Sequence, residues 1–116
     1  MDSATDVDRG HVLWASDPFK ADADAERPLV VLTDDTHPFH GEQRIAAGVS
    51  TVPRPRTLEL TLEEWTQESL PQRSYVYPWA VLSPRIEQVD YVVGRVTREF
   101  VDEIANAVTA YITPSD

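Results

Sequence analysis

The apolar residues of this chain change period once, at Thr97. Before that point they come in short runs rich in β-branched residues and broken by most of the chain's 9 prolines. After it, Phe100, Val101, Ile104, Ala105, Val108, Tyr111 and Ile112 recur at the spacing of one helix face. Thr97 is placed to cap that helix, and Glu99, Asp102 and Glu103 occupy its first turns, where the helix dipole favours anions. The longest apolar run, Leu29-Val30-Val31-Leu32, is too short for a helix and reads as a buried strand. Further strands are predicted over residues 10–16, 44–51, 57–60, 74–82 and 91–96, with one helical turn at 61–65 from the capping-box spacing of Thr61 and Glu64. Pro53 and Pro55 make 52–56 a stiff extended loop, and Lys20 to Glu26 an exposed one. Gly48 predicts a bulge or a close backbone approach, and Pro78 an edge or bulge. The fold class is α+β: a small curled antiparallel sheet with a short helix, closed by the C-terminal amphipathic helix.

With 116 residues the chain fits one domain, burying roughly 65% of its unfolded surface. Residues 1–9 are expected to form a flexible arm and 10–116 the domain. The absence of Cys excludes disulfide frameworks, thiolate metal sites and cysteine nucleophiles. The apolar run falls far short of the ~20 residues of a membrane helix. The acidic segment Met1–Asp6 lacks a secretory core, so the expectation is a soluble cytoplasmic protein away from membranes. The formal net charge is -10, and Lys20 is the single lysine among 10 basic residues. That balance fits a high-salt cytoplasm, where carboxylates keep surfaces hydrated, or a GC-rich genome that favours arginine. In molar salt the Debye length falls to ~3 Å, so the net charge does not exclude a polyanionic partner.

The order of motifs resembles the MazF/PemK family of toxin ribonucleases. The strand Gly10-His11-Val12-Leu13-Trp14 is followed by Asp17-Pro18 with Lys20, then by Arg27-Pro28-Leu29-Val30-Val31-Leu32 with Asp34-Asp35. Ala46-Ala47-Gly48-Val49-Ser50-Thr51, Leu70-Pro71 with Arg73-Ser74-Tyr75-Val76, and Val92-Val93-Gly94-Arg95-Val96 match later family segments in order. The resemblance covers about residues 10–112 and implies an SH3-like barrel with a C-terminal helix, usually as a homodimer. It implies cleavage of single-stranded RNA without metal or other cofactor, leaving 2′,3′-cyclic phosphate and 5′-hydroxyl ends. It also implies a cognate antitoxin of the MazE/PemI type, in a complex that binds DNA. The related CcdB gyrase poisons depend on a Trp-Gly-Ile tail, where this sequence has Thr113-Pro114-Ser115-Asp116.

RNA carries its own nucleophile, the 2′-OH, so such an enzyme needs a base, a cation for the crowded phosphorane, and an acid for the leaving 5′-oxygen. Arg27 falls on the family's catalytic arginine, and a guanidinium suits bidentate phosphate binding. Ser50 falls where the family has threonine, with Thr51 beside it; strand alternation turns one of these hydroxyls to the site, and Ser50 is the choice. Some relatives carry an arginine and an aspartate where this chain has Tyr77 and Trp79, and Ala21 to Ala25 replaces a neutral donor loop. Those departures imply either a different acid/base set, with Glu26 as a substitute base, or a non-catalytic RNA- or protein-binding module.

Candidate RNA-binding residues are Lys20, Arg54, Arg56 and Arg73 in or beside loops, with Tyr75, Tyr77 and Trp79 at every second position. On a strand those three rings share a face and could stack unpaired bases; a half-buried strand or a dimer interface gives the same pattern. His37 and His40 lie in a loop with no third ligand evident, which favours a solvated or RNA-facing role over a metal pair. The acidic residues around Trp65 (Glu59, Glu63, Glu64 and Glu68) read as a solvated face.

Overall fold

The computed structural model describes residues 7–16, 26–66 and 69–114. Six strands form one antiparallel sheet: β1 (His11–Ser16), β2 (Glu26–Val31), β3 (Ala46–Ser50), β4 (Leu58–Leu60), β5 (Ser74–Leu82) and β6 (Val89–Arg95). Their order across the sheet is β4-β5-β3-β2-β1-β6. A single helix, α1 (Arg98–Ile112), follows. Thr97 caps it as expected, its Oγ1 accepting from the Phe100 N–H at 3.2 Å.

Both faces of the central strands are covered, which is why Leu29, Val30 and Val31 are all buried. On one face Phe100, Val101 and Ile104 of α1 pack with Val12, Val30, Val49 and Val76. On the other, Ala15, Leu29, Ala46 and Leu82 form one cluster, and Val7, Leu13 and Val31 another. The helix outruns the sheet at its end. Tyr111 and Ile112, expected on the buried stripe, are exposed.

The sheet is curled but not a closed barrel. β4 has only three residues before the chain enters a 3-10 turn at Leu62–Glu64, so no strand remains to pair along β6. One bridge, Trp65 to Val96, ties the two edges, supported by the Thr66 N–H donating to Arg95 O at 2.8 Å. Thr61 opens the 3-10 turn without any side-chain cap bond, so the capping-box spacing located the turn but not its chemistry.

The expected arm over residues 1–9 is docked from Val7 onward. Val7 is buried because its carbonyl accepts from Arg44 Nε at 2.9 Å and its side chain joins the cluster of Leu13 and Val31. Arg44 itself is fully buried, with Nη1 donating to Gln43 O at 3.1 Å and to the His40 carbonyl. Burial pushes its guanidinium below the ordinary arginine value, and the charge of Asp8 partly opposes this. No described helix is long and apolar enough to cross a membrane.

Candidate active site

Strand register builds the site. Leu29 of β2 lies across from Gly48 of β3, and continuing that register by two residues sets Arg27 opposite Ser50. Ser50 in turn lies across from Tyr75 of β5. Residues directly opposed in antiparallel strands share a face, so Arg27, Ser50 and Tyr75 form one row, with Gly48 on the same face two positions along β3. Gly48 is what gives the arginine room. A Cβ there would sit 3.6 Å from Arg27 Nη1 and 3.4 Å from the Ala80 Cβ. Both features expected of Gly48 are present, because the β3–β5 register also shifts between Ala47 and Gly48.

That shift is a bulge centred on Pro78. Ala47 pairs with Val81 and Gly48 with Tyr77, leaving Pro78, Trp79 and Ala80 out of the ladder. Proline has no N–H to give to the ladder, so the bulge falls where the sequence predicts it.

A cleft of about 360 Å³ is bordered by Trp14, Glu26, Val49, Thr51 and Ser74 on the face that packs α1; Arg27 and Ser50 also border it, but strand alternation turns their side chains to the face of Ala15 and Leu29. Ser50 Oγ accepts from the Val52 N–H at 3.1 Å, which occupies a lone pair and leaves the hydroxyl proton free to be donated. Thr51 borders the cleft just beyond the end of β3, while Ser50 has the face of Gly48 and Tyr75.

Glu26 is part of β2, not of an exposed loop as expected. Its Oε1 accepts from Trp14 Nε1 at 2.7 Å, a cross-strand bond that holds the carboxylate on the face of β2 opposite the Arg27 side chain. Among the described residues bordering this cleft, it is the one with a carboxylate or imidazole. Trp14, part of the first strand motif, supplies the ring donor that fixes this carboxylate across the β1–β2 pair.

The aromatic residues divide their roles. Tyr75 stands beside Ser50, whereas the Tyr77 hydroxyl donates to the Val52 carbonyl and ties the turn after β3 to β5. Trp79 meets Tyr77 at 5.3 Å between centroids and meets Tyr111 of α1 edge-on at 6.1 Å. The turn held by Tyr77 carries exposed Arg54 and Arg56, the latter in the left-handed region at φ 67°. Arg73 pairs with Glu59 at 3.3 Å near the cleft's far wall. Lys20 and the Ala21 to Ala25 segment lie outside the described residues. His37 Nδ1 accepts from the Phe39 N–H at 2.9 Å, and His40 Nδ1 is buried.

No protein-family model matches this chain, and no curated protein matches it in sequence. Solved structures do match in fold. An endoribonuclease from a mycobacterial species, solved in complex with its cognate antitoxin, aligns over 100% of both chains with a TM-score of 0.70 at 15% identity. The Mycobacterium tuberculosis toxin MazF-mt6 aligns over 86% of this chain and 93% of its own, with a TM-score of 0.66 and 17% identity. MazF from Deinococcus radiodurans aligns over 91% and 96%, with a TM-score of 0.69 and 16% identity. The chain has the MazF-type fold.

Proposed function

We propose that this chain is the toxin of a toxin–antitoxin pair, an endoribonuclease that cuts single-stranded RNA. The observation that carries the reading is the strand register that sets Arg27 and Ser50 on one face of a MazF-type fold, with the guanidinium over Gly48. In the proposed reaction the 2′-oxygen bonds to the adjacent phosphorus while the bond to the 5′-oxygen breaks. The products are a 2′,3′-cyclic phosphate and a 5′-hydroxyl. Arg27 balances the charge gathering on the phosphorane, and Ser50 donates its free proton to a non-bridging oxygen. Glu26, next to Arg27 on β2 and bonded to Trp14, faces the other side of the sheet, so the 2′-OH proton passes to water. The leaving oxygen is protonated from water or from the Tyr75 hydroxyl beside Ser50.

Structures similar to this one include antitoxin complexes, which supports a cognate antitoxin as partner and, with the family resemblance, a homodimeric toxin. A second reading, a binding module without catalysis, rests on Tyr77 and Trp79. Both stand at family acid/base positions and both are engaged in internal contacts.

The test is cutting of long single-stranded RNA from low salt to molar KCl, with and without chelator. Wild type is expected to cut in chelator, since the cation is Arg27. Arg27→Ala is expected to lose roughly 100-fold or more with its thermal midpoint kept. Retained cutting in the variant overturns the Arg27 assignment. RNA that wild type binds through Arg27 but never cuts establishes the second reading.

A further inference from the structure

The connection after β3 has one kind of route open to it. β3 and β4 flank β5 and both run antiparallel to it, so they are parallel to each other and residues 51–57 must cross a face of β5. Tyr77 marks which face. It pairs with Gly48, over which the Arg27 guanidinium lies, and its hydroxyl donates to the Val52 carbonyl. The crossing is on the Arg27 side.

Val52 is held from both sides. Its N–H donates to Ser50 Oγ at 3.1 Å, and its carbonyl accepts from Tyr77. Pro53 confines Val52 to extended backbone, and Pro53 and Pro55 each fix their own φ, so few rotations remain in the segment. Thr57 closes its far end, the N–H and Oγ1 donating to the Arg54 carbonyl at 3.3 and 2.8 Å. Arg56 stands between at φ 67°, a left-handed conformation that an arginine keeps only where its surroundings impose it. In so stiff a segment one anchor sets the position of the whole. If Val52 swings free, Ser50 Oγ loses its fixed donor and turns to its other staggered positions.

We infer that Tyr77 is a positioning residue of the Arg27 face: acting through Val52, its hydroxyl fixes the Ser50 hydroxyl toward the cut phosphate and seats the turn of Arg54 and Arg56 over β5. Its consequence for rate rests on the endoribonuclease reading; the latch itself rests on the two bonds to Val52. Arg54 and Arg56 are both exposed, and the seated turn offers their guanidiniums to flanking phosphates from the side that Arg27 occupies.

Tyr77→Phe removes the hydroxyl and keeps the ring. Single-turnover cutting at saturating RNA is expected to slow roughly fivefold, the weight of one hydrogen bond, with the thermal midpoint kept. The same substitution in a Ser50→Ala background is expected to cost nothing further, because the two hydroxyls act as one unit. Trypsin reads the latch without RNA. Arg54 precedes Pro55 and resists the protease, so cleavage after Arg56 reports release of the turn. That cleavage is expected to quicken roughly fivefold in Tyr77→Phe. Cutting by Tyr77→Phe at the wild-type rate overturns the inference, as does an equal loss in both backgrounds. If wild type cuts no RNA, the endoribonuclease reading fails by itself and trypsin decides the latch. Unchanged cleavage after Arg56 overturns it, and faster cleavage upholds it.

Discussion

The cleft at Arg27 and the cleft at Glu63 share a wall but not a chemistry. The first is bordered by the ends of β2 and β3 within a six-stranded ladder, and register fixes the arginine and hydroxyl of these strands on the face beyond it. The second is framed by a three-residue strand, a 3-10 turn and a connection, and its charges sit on exposed side chains. The comparison teaches that rigidity follows the task. A group acting on a phosphorane must be placed within fractions of an ångström, because misplacement there is costly in rate.

The largest break in that comparison is expected at Gly48. Gly48→Ala places its methyl 3.4 Å from Ala80 Cβ and 3.6 Å from Arg27 Nη1, ordinary contacts, so it folds and cuts. Gly48→Leu needs the space the guanidinium occupies. It is expected to lose roughly 100-fold of cutting, with an overpacking cost of ~1–3 kcal/mol seen as a lowered thermal midpoint.

Ser50→Ala against Thr51→Ala sharpens the contrast within one cleft. Only Ser50 belongs to the row that includes Arg27 and Tyr75. Its loss is expected to slow single-turnover cutting about tenfold, the scale of one charge-assisted hydrogen bond. Thr51→Ala is expected to cost less than about threefold.

The smallest effect is electrostatic. Burial, then the charges of Glu103 and Glu63, push the Glu64 carboxyl above the usual glutamate range, and a hydrogen bond from Thr97 only partly opposes them. A raised folded-state pKa means that ionising Glu64 disfavours the native state, so stability falls as pH rises through that range. Glu64→Gln is expected to stabilise at pH 7 by up to ~1 kcal/mol. The gain fades below about pH 4.3, where wild-type glutamate is protonated in both states. Urea midpoints at the two pH values measure it.

Wherever a residue's own covalent chemistry dictates local geometry, the structure was legible in the sequence. Thr97 capped its helix, Pro78 produced a bulge, and the apolar run at 29–32 formed a strand buried on both faces. Arg27 and Ser50 fall on one face of the sheet because strand alternation carries them there. Contacts that depend on distant segments were not legible. Nothing near Arg44 announces that it is fully buried against the carbonyl of Val7, 37 residues away in the chain. Nor does anything near Glu59 announce Arg73, because a hairpin brings them together. The open edge of the sheet came from the shortness of β4, a matter of element length that residue preferences fix poorly.

The bulge at Pro78, Trp79 and Ala80 isolates the two halves of β5 from each other. Tyr75, Val76 and Tyr77 take their alignment from β3 below it, and Val81 and Leu82 take theirs above it. A change of chain length inside the bulge therefore alters how far Trp79 projects toward Tyr111 without passing an alignment error to the tyrosine beside Ser50. It is a joint at which the outer surface can change while the row of Arg27, Ser50 and Tyr75 keeps its alignment.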